Sequence, residues 1–212
     1  KIGIGHTRWA THGAPTARNA HPHMTKNGDV VVVHNGIVEN CLELREELCE
    51  ESVEFHSDTD TETIVHLIER HLALTKDLVT AVQRTLRLLK GAHGVVVMSI
   101  SEPDKIVAAR IGNAGGVVIG LGEGENYVAS DIPAILEHTR RMIFLESGQM
   151  AVVCADSVNV TTLDGKPLQP QIHTVAWDPV AAEKGEYRHF MQKEIHEQVR
   201  SLTDTLAGRV DF

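Results

Sequence analysis

The sequence predicts an α+β fold built on antiparallel sheets, and three observations lead there. Helical patterns cluster between residues 41 and 89. Strand-like runs cluster between residues 94 and 162. The links between those later strands are too short for the crossover helices of a parallel sheet. At 212 residues the chain fits one large domain whose core can bury most of its apolar surface.

Residues 2–9 and 30–35 read as the first strands, and Val30-Val-Val-Val33 is a β-branched run suited to a buried strand. Residues 41–50 set Leu42, Leu44, Leu48 and Cys49 among charges. Residues 61–74 carry Ile64, Val65, Leu67, Ile68 and Leu72 at helical spacing, with Asp60 or Thr61 as N-cap. Residues 77–89 repeat the pattern and stop at Gly91. Strands then follow at 94–101, 105–110, 116–120, 127–129, 142–145, 150–154 and 157–162, separated by turn residues such as Asp164-Gly165. A helix at 131–137 interrupts them. Residues 167–185 read as an irregular connector, and a last helix runs from 190 to about 207. Gly120-Leu-Gly-Glu-Gly124 is followed by a strand pattern, so it reads as a hairpin turn and not as a phosphate loop.

Twenty basic against 29 acidic residues give a net charge of −9, which argues against a nucleic-acid partner. No apolar run reaches membrane-span length. The first residues, Lys-Ile-Gly-Ile-Gly5, have neither an initiator Met nor a signal-peptide pattern, so the chain is expected to begin inside a larger protein. Cys41, Cys49 and Cys154 lack metal-type spacing and read as free thiols in a reducing, cytoplasmic setting. Cys49 and Cys154 look like packing groups. Histidines crowd the N-terminal part: His6, His12, His21, His23 and His34. No His-Glu-x-x-His motif accompanies them, so hydrogen-bonded histidines in a polar pocket are expected in place of a metal site.

Three motifs carry chemistry. His6-Thr-Arg-Trp-Ala-Thr-His-Gly13 offers Arg8, whose guanidinium can fork onto a carboxylate. A surface ion pair is the plainer use of such an arginine. His34-Asn-Gly36 offers the Asn35 amide and the Gly36 N–H to an oxyanion. A hairpin turn is the plainer use of Asn-Gly. Ser57-Asp-Thr-Asp60 offers Asp60 to an ammonium group, or as a helix cap. Occurring jointly, the three suggest a pocket for a small amino acid such as free glutamine. Gripping both ends of such a substrate makes attack on its side-chain amide effectively intramolecular.

These stretches, with Asn19-Ala-His-Pro-His23 and Val33-His-Asn-Gly-Ile-Val-Glu-Asn40, resemble the class II glutamine amidotransferases, which are N-terminal-nucleophile hydrolases. Glu125-Asn-Tyr-Val-Ala-Ser-Asp131 and Tyr187-Arg-His-Phe-Met-Gln-Lys-Glu-Ile195 are similar to the branch whose glutaminase domain precedes a sugar-phosphate isomerase domain. The resemblance runs from Gly3 to about Gly208. It implies an αββα sandwich of two antiparallel sheets between helical layers, incomplete at its N-terminus. Residues 1–185 would form a partial amidotransferase domain, and 186–212 a linker helix leading to an absent isomerase domain. Arg8 would hold the carboxylate of L-glutamine and Asp60 its amino group. Trp9, Thr11, His12 and His21 would line the pocket, and Asn35 with Gly36 would form the oxyanion hole. No metal and no cofactor are implied. The isomerase domain would take fructose 6-phosphate, and the parent would be a homo-oligomer.

The nucleophile of that family is a cysteine whose own α-amine serves as base. No Cys-Gly-Ile segment stands in this sequence, and Cys41 is internal. The polypeptide as it stands is therefore expected to hydrolyse no glutamine and to expose apolar surface that the missing strands would cover. Two other readings remain open: the glutaminase domain of a different amidotransferase, and a non-catalytic amino-acid-binding module of the same fold.

Overall fold

The computed structural model describes residues 2–176 and 185–207. The chain divides into two compact units, residues 1–174 and 175–212. The first unit contains β1 (His23–Met24), β2 (Val30–Gly36), α1 (Cys41–Glu50), α2 (Thr61–Thr75), α3 (Leu78–Leu86), β3 (His93–Ser99), β4 (Lys105–Ile111), β5 (Val118–Leu121), β6 (Asn126–Ala129), β7 (Arg141–Phe144), β8 (Gln149–Cys154), β9 (Val158–Thr162), β10 (Pro167–Leu168) and β11 (His173–Thr174). Strands β1-β2-β3-β4-β8-β9-β10 form one sheet and β11-β7-β5-β6 another. Every pairing is antiparallel.

The large sheet is apolar on both faces, and the two-residue period of a strand decides which side chain goes where. Val30 and Val32 of β2, Val95 and Val97 of β3, and Val107 and Ala109 of β4 join one core with α1, α2 and α3. The alternate residues Val96, Ile106 and Ala108 join Ile119 and Ile143 of the small sheet in a second core. Continued to the end of β2, the same alternation sets His34 with the helix-facing valines and Asn35 with the opposite set. The outer face of the small sheet is covered by residues 132–139. A Cβ on Gly120 would meet Thr139 and Ile135 there.

α2 packs over β1 and β2 at one end of the large sheet, and its residues 61 to 68 are all buried. It ends at Lys76, whose N–H still donates to the Leu72 carbonyl and whose left-handed backbone (φ +55) then turns the chain out of the helix. α3 starts at once, with Asp77 accepting from the Thr80 N–H at 2.7 Å.

Three sequence-based expectations need correction. Residues 2–9 form no strand. Gly3 and Gly5 stand in open space, and Arg8 turns the chain out of the extended region at φ +51. The helix expected at 131–137 is one 3₁₀ turn, Ile132–Ala134, started by Asp131 and carrying Pro133, which has no N–H for a longer ladder. The connector after residue 166 is not wholly irregular, since β10 and β11 each add two residues to a sheet edge. Part of it, residues 177–184, lies outside the described residues.

The second unit contains α4 (Phe190–Leu206), close to the helix expected there. Met191, Ile195, Val199, Leu202 and Leu206 recur along it at helical spacing and are exposed. Among the described residues no helix is long and apolar enough to cross a membrane.

Leu67 is wholly buried in the core under α2. Leu67→Ala should destabilise the fold by about 2–5 kcal/mol, read as a lower urea midpoint at an unchanged slope.

Candidate active site

A cavity of about 180 Å³ opens where four segments meet. The N-terminal segment supplies His6, Arg8, Trp9, Thr11 and His12, and His21 follows it. The end of β2 supplies His34, Asn35 and Gly36. The turn into α2 supplies Thr59, Asp60 and Thr61. All eight residues singled out in the sequence line this one cavity. His6, His34, Thr59 and Thr61 line it too without having been assigned a contact to the substrate. For His6 and His34 the legible signal was the crowding of histidines, and for Thr61 only its place before a helix.

Asn35 and Gly36 are the last residues of β2, opposite Gly94 and His93. The hairpin-turn reading of Asn-Gly is therefore set aside. Gly36 has φ +137, and a Cβ there would come within 2.1 Å of the Ala92 carbonyl oxygen. Glycine is required by the close approach of the neighbouring strand.

The Asp60 carboxylate does not cap α2. Its Oδ2 accepts from the Val38 N–H at 2.7 Å, tying the start of α2 to the chain just beyond Gly36. Asp60 is buried, with no ion pair to a cationic side chain among the described residues, so a carboxylate there favours a cationic neighbour. Arg8 makes no ion pair with a protein carboxylate among the described residues. Its guanidinium donates to the carbonyls of His12 (2.7 Å), Ala14 (3.0 Å) and Gly13 (3.1 Å), which folds loop 12–14 around it. Three of the five guanidinium N–H groups are used in this way, leaving the others to a ligand. Asn19 and Arg18 fasten the same loop to Asp58. Trp9 is 92% exposed at the cavity mouth.

The imidazoles are joined in strings whose proton positions follow from fixed ends. The His93 Nε2–H donates to the Lys90 carbonyl at 3.2 Å, so its Nδ1 must accept from the His34 Nε2–H at 3.1 Å. His34 Nδ1 then accepts from the Thr61 hydroxyl at 3.0 Å, and the Thr61 oxygen accepts from the His21 Nε2–H at 2.9 Å. A second string starts at Glu62. Its carboxylate takes the Ser57 Oγ–H at 2.6 Å, the Ser57 oxygen takes the Thr59 hydroxyl at 3.0 Å, and the Thr59 oxygen takes the His23 Nε2–H at 2.9 Å.

Burial, then the basic neighbours His6, His23, His34 and Arg8, lower the pKa of His21 to about 3. Burial, followed by His93, His6 and His23, lowers that of His34 to about 3. Burial also lowers those of His23, His71 and His93. For Glu62, burial alone would raise the pKa. The His66 imidazole 3.7 Å away, with hydrogen bonds from the Ser57 hydroxyl and the backbone N–H groups of His56 and Ser57, outweighs it and holds the carboxyl at about 2. His66 shifts upward, because the nearby Glu62 and Glu69 carboxylates overcome the cost of burial.

None of the three cysteines lines the cavity. Cys41 begins α1 with its sulfur 3.5 Å from Thr63 Oγ1, and burial raises its pKa, away from a reactive thiolate. Among the described residues no group of three or more His, Cys, Asp or Glu side chains could hold a metal ion. A larger cavity of about 590 Å³ adjoins the pocket and shares His6, Trp9, His34 and Asn35 with it. Its walls include Ile4, Val96, Ile106 and Val128.

Two antiparallel sheets, helices packed on the larger one, and a small polar pocket at the end of β2 define an amidotransferase-type α+β sandwich. Glutamine phosphoribosylpyrophosphate amidotransferase from B. subtilis, solved with ADP and GMP, superposes with a TM-score of 0.61 at 25% identity, over 74% of this chain and 34% of that one. Residues 6–137 match the glutamine amidotransferase domain family, and the chain belongs to it. Its similar relatives include the glutamine–fructose-6-phosphate aminotransferases [isomerizing] of Symbiobacterium thermophilum (54% identical, over 100% of this chain) and Aquifex aeolicus (50%, over 98%). The chain spans about a third (34%) of the length of each.

The pKa shifts set two pH windows. A histidine whose folded pKa lies below its usual 6.5 leaves the unfolded chain binding more protons, so the stability it allows is whole above 6.5 and drains as pH falls toward 3. The depressed Glu62 contributes above its usual 4.5 and is lost toward 2. His66, shifted upward, opposes the first loss. Circular-dichroism melts should show Tm falling from about pH 6.5 downward and falling further below about pH 4.5. Glu62→Gln should lower Tm at pH 7 and abolish most of the second stage.

Proposed function

We propose that this chain is the ammonia-supplying glutaminase domain of an enzyme that converts fructose 6-phosphate and L-glutamine to glucosamine 6-phosphate and L-glutamate. The observation that carries the reading is the convergence of Arg8, Asn35, Gly36 and Asp60 on one small cavity. The guanidinium of Arg8 takes the substrate α-carboxylate, and the Asp60 carboxylate takes the α-ammonium. With both ends held, the side-chain amide extends toward the end of β2. Trp9, Thr11, His12 and His21 wall the pocket.

Attack on the amide carbon puts negative charge on the carbonyl oxygen. The Asn35 amide and the Gly36 N–H receive that charge, an interaction strongest in the transition state. The nucleophile is a cysteine thiolate contributed from outside these 212 residues, since Cys41, Cys49 and Cys154 are not at the pocket. Ammonia released from the thioester step passes to a sugar-phosphate isomerase domain that follows α4, in an enzyme assembled as a homo-oligomer. The names of the relatives, which match across nearly the whole chain, support this choice of acceptor.

Titration calorimetry on the 212-residue chain should register L-glutamine binding, with no glutamate formed in a parallel turnover assay. Arg8→Ala and Asp60→Asn should each weaken binding about 10- to 100-fold, as expected for losing a charged hydrogen bond. Asn35→Ala should change binding little. Equal affinity in Arg8→Ala and the unsubstituted chain would sink the assignment.

A further inference from the structure

We infer that His6 is a positioning residue that orients the Asn35 amide, so that its NH₂ group and not its oxygen is presented to the pocket. This rests on the oxyanion role proposed above and adds what makes that role stereochemically fixed. An asparagine amide has a donor end and an acceptor end of nearly equal shape, and only the donor end can stabilise an oxyanion. Something must set which end faces inward.

The Arg8 backbone N–H donates to His6 Nδ1 at 2.9 Å. A backbone N–H can only donate, so Nδ1 is an acceptor and the ring proton lies on Nε2. His6 Nε2 lies 2.8 Å from Asn35 Oδ1, so the imidazole N–H donates there and pins the oxygen. The amide nitrogen is left as the open end. Beside it stands Gly115, where even an added Cβ would approach no closer than 3.6 Å to Nδ2. No side chain at that position covers the donor.

His21 Nδ1 lies 3.2 Å from His6 Nδ1. Its own proton is already committed on Nε2 to Thr61, so it brings a lone pair and no hydrogen bond. The titratable groups that share the cavity of His6 are Arg8, His12, His21, His34 and Asp60. None of them makes a hydrogen bond to the Asn35 amide among the described residues.

The test uses the full-length protein that carries this region and its nucleophile, assayed for glutaminase activity. His6→Phe keeps the ring shape and removes the donor. It should lower kcat about 10- to 100-fold with KM changed less than about threefold. His6→Gln can both accept from Arg8 and donate to Asn35, and should recover most of that loss. In an Asn35→Ala background, His6→Phe should add almost nothing, because the residue it orients is gone. Long-range ¹H–¹⁵N spectra of the same protein should show the His6 proton on Nε2. Normal kcat in His6→Phe, full additivity with Asn35→Ala, or a proton on Nδ1 would each overturn the inference while leaving the oxyanion assignment standing. An Asn35→Ala variant with unchanged kcat would instead bring down the assignment itself, and the role of His6 with it.

Discussion

Three consecutive buried side chains at the start of α2, namely Asp60, Thr61 and Glu62, hold the functional end of the molecule together. Each is polar and nearly inaccessible, so each must find partners or cost the fold several kcal/mol. Asp60 finds the Val38 N–H, beyond the end of β2. Thr61 stands between His21 and His34. Glu62 gathers two backbone N–H groups and the Ser57 hydroxyl. Satisfying one helix start thereby fixes the loop before it, the strand beside it and the segment carrying His21. The pocket forms where these obligations meet.

The large sheet makes this arrangement affordable. Its apolar faces pack against helices on one side and against the small sheet on the other, so β2 is anchored along most of its length before it reaches the pocket. The strand then delivers two polar residues with opposite orientation. His34 joins the hydrogen bonds beneath α2, while Asn35 bonds to His6 of the N-terminal segment. A side chain carried by a regular strand, and not by a loop, has little room to drift.

Much of this was legible in the sequence because the signals were local and periodic. The valine run of β2, the 3.6-residue spacing in α2 and α3, and the turn residues between β4 and β9 each report on their own neighbourhood. Residues 2–9 misled for the opposite reason. Their alternation is strand-like, yet a strand needs a partner, and among the described residues none pairs with them. Pro133 limited a helix that the surrounding apolar residues suggested. At the site, Arg8, Asn35 and Asp60 could be picked out by side-chain chemistry, but their convergence could not. Asp60 also mattered differently from either local reading, since its first partner is a backbone group 22 positions away. The roles of His6 and Thr61 depend on which atom of a ring or hydroxyl gives and which takes, and no spacing rule encodes that.

The abundance of imidazole around the pocket has one more chemical consequence. A composition with 13 histidines suggests a site that buffers near neutrality. His21 and His34 do something else. The ring protons around the pocket are assigned by groups that never change role: a main-chain carbonyl, a main-chain amide and a carboxylate. His21 and His34 therefore stay uncharged throughout the physiological range. These two rings give the cavity a dipole pattern that ordinary swings in acidity do not erase.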